Sequence, residues 1–465
     1  MRKLFLTTAM VGLWSALPAA AATVTGWNTE NVDVDTTQNV EPDGSCLAGS
    51  GICLNFGEVG TSEVYDRPLN ADGSISAGAK TSGTIAFTSD EAFTPGIEVD
   101  TTPYTTGGPS ATQRDLDGCI LASSSATCTS EFQSGKRIKQ KMTEADAPVD
   151  LVFNIDPTAV KLDPETGAAV DHVYQVFGRL INTTGQALDG FKLELGYGVG
   201  SDFVAAVPGA GLSFADTSQY VAPPARTAAA GTQFPFGLFG SAADNQNFLL
   251  DGFFDAERSG LVVPEIATGD TILASMDSTL FGNYLDIPGE YGVFGPWMNQ
   301  ADVPDGLFWD FDDDPLTDDL LVAWLRPDGQ WELRRTAGET CETDAGGGTT
   351  CAPGQTLAPE DYEVGSLEDI RVALVASGAD ASQLGAPGPI EDLSNLNLNY
   401  AIALGDLSSL FPDFGTDGLA SFTLRTTVFA VEDLAPVPLP AGAPLLLAGF
   451  AALGWMRRRQ LKAQG

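Results

Sequence analysis

The sequence predicts an all-β fold, a sandwich-like body with long loops and short helices at most. Several segments alternate apolar and polar residues with the period of two of a half-buried strand. The chain's 52 glycines and 28 prolines punctuate short segments as turns do. The apolar fraction of 43% is enough for a real core.

Residues 23–146 are rich in Thr, Ser, Gly and Asp and read as an N-terminal β region of short strands and turns. TIAFTS near 84–89 is a strand candidate. In KRIKQK (136–141), Arg137, Lys139 and Lys141 alternate as the solvent face of a charged edge strand would. The main body is expected over 147–432. There Val149, Leu151 and Phe153 alternate with Asp150 and Asn154. HVYQVFGRLINTTGQALDGFKLELGYG then reads as strand, turn, strand. Phe191, Leu193, Leu195 and Tyr197 point one way, Lys192 and Glu194 the other, and NTTG supplies the break. LLVAWL (320–325), the turn RPDGQ and WELRR predict a hairpin, with Trp331 and Leu333 inward and Glu332 and Arg334 outward. GSLEDIRVALVAS (365–377) suits a helix by the capping-box spacing of Ser366 and Asp369, and a strand by RVALV. SFTLRTTVFAV (421–431) is a final strand, with Phe422, Leu424 and Val428 on one face.

Composition excludes whole function classes. The formal charge of −39 argues against nucleic-acid binding, because phosphate backbones recruit Lys and Arg. A single histidine, His172, supplies no multi-His metal site and reads as structural.

Both ends carry addresses. Residues 1–22, MRKLFLTTAMVGLWSALPAAAA, combine basic Arg2 and Lys3, an apolar stretch from Leu4 to Leu17, and A-x-A matches ending at Ala21 and Ala22. That is the pattern of a secretory signal peptide. At the other end, linker and motif occupy 433–442, with Val437, Pro438, Leu439, Pro440 and Ala441 as the motif. A hydrophobic helix and basic tail occupy 443–465, the apolar run Ala443–Met456 being followed by Arg457, Arg458 and Arg459. Apolar then arginine is a stop-transfer pattern, and it places the preceding chain outside the inner membrane. VPLPAG with this tail resembles the VPLPA variant of the PEP-CTERM sorting signals of Gram-negative bacteria. The resemblance implies transient anchoring in the inner membrane and removal of the tail by an exosortase-type transpeptidase. A plain anchor that is never cut is the alternative. Processing at both ends would remove only basic residues (Arg2, Lys3, Arg457, Arg458, Arg459 and Lys462), so the mature chain is more acidic still.

Six cysteines fall into three short-range pairs, Cys46 with Cys53, Cys119 with Cys128, and Cys341 with Cys351. None is C-x-x-C, and an exported chain favours disulfides. Six cysteines allow 15 connectivities. Pairing sequence neighbours is the simplest, each pair stapling a loop rich in small residues.

SGKRIKQ, PVDLVFNI, YQVFGRLINTTG with FKLELGYG, and FWDFDDDPLTDDLLVAW together resemble the choice-of-anchor F family. These are exported bacterial proteins with a shared extracellular body and different anchoring signals. The resemblance implies surface or extracellular placement and brings no catalytic residues.

Chemistry is sparse. No G-x-S-x-G elbow, P-loop or H-E-x-x-H occurs. Two carboxylates suffice for glycoside hydrolysis, so a secreted carbohydrate-active enzyme is the rival to a structural, adhesive or glycan-binding protein. Residues 281–311 place Tyr284, Tyr291, Trp297 and Trp309 among Gly, Pro, Asn and Asp, either as faces for sugar rings of an exopolysaccharide or as core anchors. WDFDDDPLTDD gathers Asp310, Asp312, Asp313, Asp314, Asp318 and Asp319, read as a calcium site or as a solvated acidic turn. Asp310, Asp312 and Asp314 keep a calcium-loop spacing, but Pro315 and Leu321 stand where an EF-hand needs Gly and Glu.

Overall fold

The computed structural model describes residues 21–34, 58–88, 96–104, 116–122, 127–128, 136–163, 166–215, 261–262, 271–276, 297–311, 313, 320–343, 349–390, 393–414 and 418–431. Two sheets packed face to face form a sandwich. The first has the spatial order β1 (Thr23–Asn28), β8 (Val149–Asp156), β23 (Ser421–Ala430), β10 (Leu188–Tyr197), β14 (Thr271–Met276) and β13 (Leu261–Val262), with β11 (Val204–Ala205) against β10. The second runs β12 (Leu212–Phe214), β22 (Asn395–Leu404), β9 (His172–Asn182), β7 (Ile138–Met142), β4 (Thr81–Thr88), β3 (Glu58–Tyr65) and β2 (Val32–Asp33). Beside β9 also lies β6 (Gly118–Leu121), which carries β5 (Glu98–Asp100). Strands from 23–146 and from 147–432 share both sheets, so the compositional change near 146 marks no boundary in the fold.

The core follows from period-two alternation. Leu151, Phe153, Phe191, Leu193, Leu195, Phe422, Leu424 and Val428 come from the first sheet. They meet Ile85, Ile138, Tyr174, Val176, Leu180, Leu398 and Ile402 of the second in one buried cluster. Burying each large apolar side chain contributes about 1.5–3 kcal/mol. Phe153 and Phe422, cross-strand partners, stack with centroids 5.3 Å apart. The strands on either side of NTTG, β9 and β10, lie in opposite sheets, so this turn carries the chain across the sandwich. Asn182 holds it: its side-chain amide donates to Gln186 O at 2.8 Å, and its Oδ1 accepts from Thr184 N at 3.1 Å.

The basic segment departs from expectation. It is no edge: β7 pairs antiparallel with β4 and parallel with β9. Arg137 and Lys139 are only 3% and 5% exposed. Alternation reveals a strand with two unlike faces but not whether more chain covers the polar one. Here a second layer does so on the neighbouring strands: Tyr104, Leu116, Leu121 and the Cys119–Cys128 pair pack on Val173 and Phe177 of β9. β6 and β7 occupy successive stretches of the same side of β9. The chain leaves that strand position after β6 and returns at β7. The disulfide Cys119–Cys128, Cα atoms 5.7 Å apart, closes part of the detour. Gly118 is required where β6 begins, because a Cβ there would lie 1.9 Å from Asp100 O of β5.

A third sheet has the order β20 (Val364–Gly365), β17 (Trp331–Leu333), β16 (Leu320–Leu325), β15 (Asp305–Trp309) and β21 (Gly388–Pro389). The predicted hairpin is β16–β17, with Ala323 opposite Leu333. The ambiguous segment is helix α1 (Leu367–Ser377). Ser366 and Asp369 close a capping box, and Gly378, at φ 118°, ends the helix. Ile370 and Leu374 bury its inner face against Leu307, Val322 and Leu333. Glu332 and Arg334, expected outward, are 7% and 4% exposed, because Trp324, Ile390 and Leu393 form a second buried layer on the sheet. A two-stranded ribbon, β18 (Arg335–Thr343) with β19 (Thr349–Thr356), sets Cys341 directly opposite Cys351. Among the described residues no helix is long and apolar enough to cross a membrane; the sorting segment 433–465 and residues 1–20 lie outside them.

Candidate functional site

The charged groups that sequence reading leaves open gather in three places. At the start of β9, Asp117 accepts from Lys161 Nζ at 2.5 Å and from Val173 N at 2.7 Å, and its Oδ1 lies 3.2 Å from His172 Nδ1. Burial pushes the Asp117 carboxyl up. The bonds from His172, Lys161 and Val173 outweigh it and hold the group below the usual carboxylate range. A carboxylate that orients an imidazole is two thirds of a hydrolytic triad, and the third part is a nucleophile at Nε2. His172 Nε2, like Nδ1, is buried and makes no well-aligned hydrogen bond to a described group, the contact with Asp117 being one of ion-pair distance. The cluster anchors the end of β9, and among the described residues no nucleophile is hydrogen-bonded to the imidazole.

In the first sheet, Asp150 and Arg425 form a two-pronged pair with both contacts at 2.7 Å. Asp150 also accepts from Gly200 N at 2.7 Å, and Arg425 donates to Gly200 O at 2.7 Å. The guanidinium lies 3.8 Å from the centroid of Phe203. Together they pin the turn after β10 to the sheet.

In the third sheet, Glu332 accepts from Trp324 Nε1 at 3.0 Å, Arg326 at 3.0 Å and Arg334 Nε at 2.6 Å. Arg334 stacks 4.0 Å from the centroid of Tyr362. Every Glu332 oxygen is engaged, as a buried carboxylate requires.

Of the two readings of the aromatic segment, the described indoles take the core one. Trp297 is 1% exposed inside the main core, and its Nε1 donates to Ser394 O at 2.6 Å. Trp309 is 6% exposed, edge-on to Phe311, and its Nε1 donates to Gln383 Oε1 at 3.1 Å. Neither indole offers a face to a sugar. Both sit where an irregular segment meets a sheet, so their large apolar area is spent on packing. Tyr284 and Tyr291 lie outside the described residues.

Of the acidic turn, Asp310 and Asp313 are described, while Asp312, Asp314, Asp318 and Asp319 are not. Asp310 N donates to Gln383 O at 2.9 Å, and Asp310 Oδ1 is buried without a described partner. Asp313 takes the left-handed backbone, φ 54°, which Asp tolerates in turns. Among the described residues, the one grouping of three potential metal ligands is Asp100, Cys119 and Cys128. Its two sulfurs are bonded to each other and so are not thiolate ligands. Cys46 and Cys53 lie outside the described residues.

Sequence reading missed the partners of Asp117 and Asp150. Asp150 was legible only as the polar alternate of a strand, and Arg425 stands 275 residues away, so the one usable signal was a charge placed mid-strand on each. Between the two sheets a cavity of about 10 Å³, room for one water, lies beside Gln140 and Thr426. Comparison with known protein families, with curated proteins and with solved structures gives no match.

Proposed function

We propose that the protein is exported and acts at the cell surface or in the extracellular matrix as a structural or adhesive β-sandwich, with its ends processed as the leader and the VPLPA motif suggest. The observation that supports this reading most is the buried Cys119–Cys128 disulfide, which ties β6 to the chain leading on toward β7. Such bonds persist in oxidising compartments and are rare where glutathione keeps thiols reduced. The facing positions of Cys341 and Cys351 across a two-stranded ribbon favour the same compartment. The three charged groupings serve as internal ties, which suits a load-bearing or display role over turnover.

Fractionation of the native host, followed by thiol counting on the purified chain, tests it. The expected result is protein in the surface or extracellular fraction with no thiol that reacts before reduction. A cytoplasmic pool with free cysteines would overturn the proposal.

A further inference from the structure

Two A-x-A matches overlap in the leader, Ala19-Ala20-Ala21 and Ala20-Ala21-Ala22. A peptidase that reads small residues at −3 and −1 accepts either. A cut after Ala20 would instead put the ring of Pro18 at −3. The two acceptable cuts differ by one residue, Ala22, and the fold uses that residue. Ala22 is 0% exposed and belongs to the core shared by both sheets. Its N–H donates at 2.8 Å to the carbonyl of Gly405, the residue that follows β22. The next residue, Thr23, opens β1 opposite Asp156 of β8. The Ala22 bond therefore ties the edge of the first sheet to the end of a long strand of the second.

A cut after Ala22 removes the methyl from the core and leaves the Gly405 carbonyl without this donor, and a buried carbonyl stripped of its partner is costly. A cut after Ala21 keeps both. What goes is Ala21, itself 1% exposed, and its bond to Ala159 O just beyond β8; a cut after Ala22 loses that as well as the Ala22 contacts, so the cut after Ala21 costs the fold less. The new terminal amine of Ala22 still faces the Gly405 carbonyl and keeps a donor for it.

We infer that the leader is removed between Ala21 and Ala22, making Ala22 the first residue of the mature chain. This rests on the export reading above. The full chain, expressed with its own leader in an exporting Gram-negative host, is purified and its N-terminal peptide is sequenced by mass spectrometry. A chain beginning at Ala22 is the expected result. A start at Thr23 or Ala21 would overturn the cut site while leaving export intact, whereas an uncut chain from Met1 would take down the export reading itself. The structural basis has its own measurement. Two mature chains are exported behind one foreign leader, one starting at Ala22 and one at Thr23. The second should melt lower by about 2 °C or more, and equal midpoints would remove the reason for preferring Ala22.

Discussion

Arg425 and Asp150 stand directly opposite each other on β23 and β8, and each spends its whole charge on the other and on Gly200. The pair is buried, with side-chain exposures of 13% and 2%. Desolvation makes such a pair weak evidence of net stabilisation, but breaking one side strands a charge.

Arg425→Met and Asp150→Leu should therefore each cost about 3–5 kcal/mol. The double variant should lose clearly less than the sum, because no charge is then left unpaired. Urea denaturation of the four chains reads the coupling. Additive losses would mean that the two groups do not act as a pair.

The Asp117 cluster predicts a pH dependence whose sign follows from the depressed carboxyl. A group more acidic folded than unfolded contributes stability above its unfolded value, about 3.9, and loses that contribution as pH falls through the folded value. Asp117→Asn should be less stable than wild type at pH 7, and the gap should narrow as pH falls below about 4. Urea midpoints at pH 7, 4 and 3 measure it. A gap that stays constant with pH would show that the loss is one of packing alone.

Alternation carried much of the fold. The β8, β10, β17 and β23 segments stand where period two placed them, and β9 and β16 where the turns beside them did, each with one face in a core. Burial of the other face was not legible. Lys139, Glu332 and Arg334 are polar on an alternating strand, a pattern identical whether water or a second layer of chain lies outside. Pairing was illegible for the same reason that contact order slows folding: Asp150 meets Arg425 across 275 residues. Of the site residues, the cysteine staple was readable because its ends are nine residues apart, and local closure is the simplest solution. For Trp297 and Trp309 two readings stayed open, since a Gly- and Pro-rich neighbourhood looks the same whether or not its rings turn inward.

The staple itself can be weighed. Cys119→Ser with Cys128→Ser opens a loop whose ends are nine positions apart, and the chain-entropy estimate for so short a loop is about 2–3 kcal/mol. Wild type treated with reductant should lose at least this amount, and the double variant should lose less to reductant than wild type does, the other cysteine pairs accounting for what remains. Melts with and without reductant test both. A reductant effect in the double variant as large as in wild type would assign the staple's weight to other cysteines.

The two indoles supply the sharpest contrast between a binding role and a core role. If their faces held sugar, replacing them would abolish glycan binding and leave the melting temperature nearly unchanged. With Trp297 at 1% and Trp309 at 6% exposure, the ring area is already buried by protein. Each Nε1–H also has an acceptor, Ser394 O for Trp297 and Gln383 Oε1 for Trp309. Trp297→Ala removes a large ring from the core between the sheets and leaves the Ser394 carbonyl without this donor. Trp309→Ala does the same beside α1 in the third sheet. Each should destabilise by roughly 3–5 kcal/mol. Trp297→Phe should recover part of the packing but not the bond to Ser394, leaving a residual loss of about 1 kcal/mol. Chemical denaturation of the three variants, run beside a glycan array on the same preparations, separates the roles. Unchanged stability together with lost glycan binding would restore the indoles as a binding surface. Reduced stability with an unchanged array is the outcome that their burial predicts.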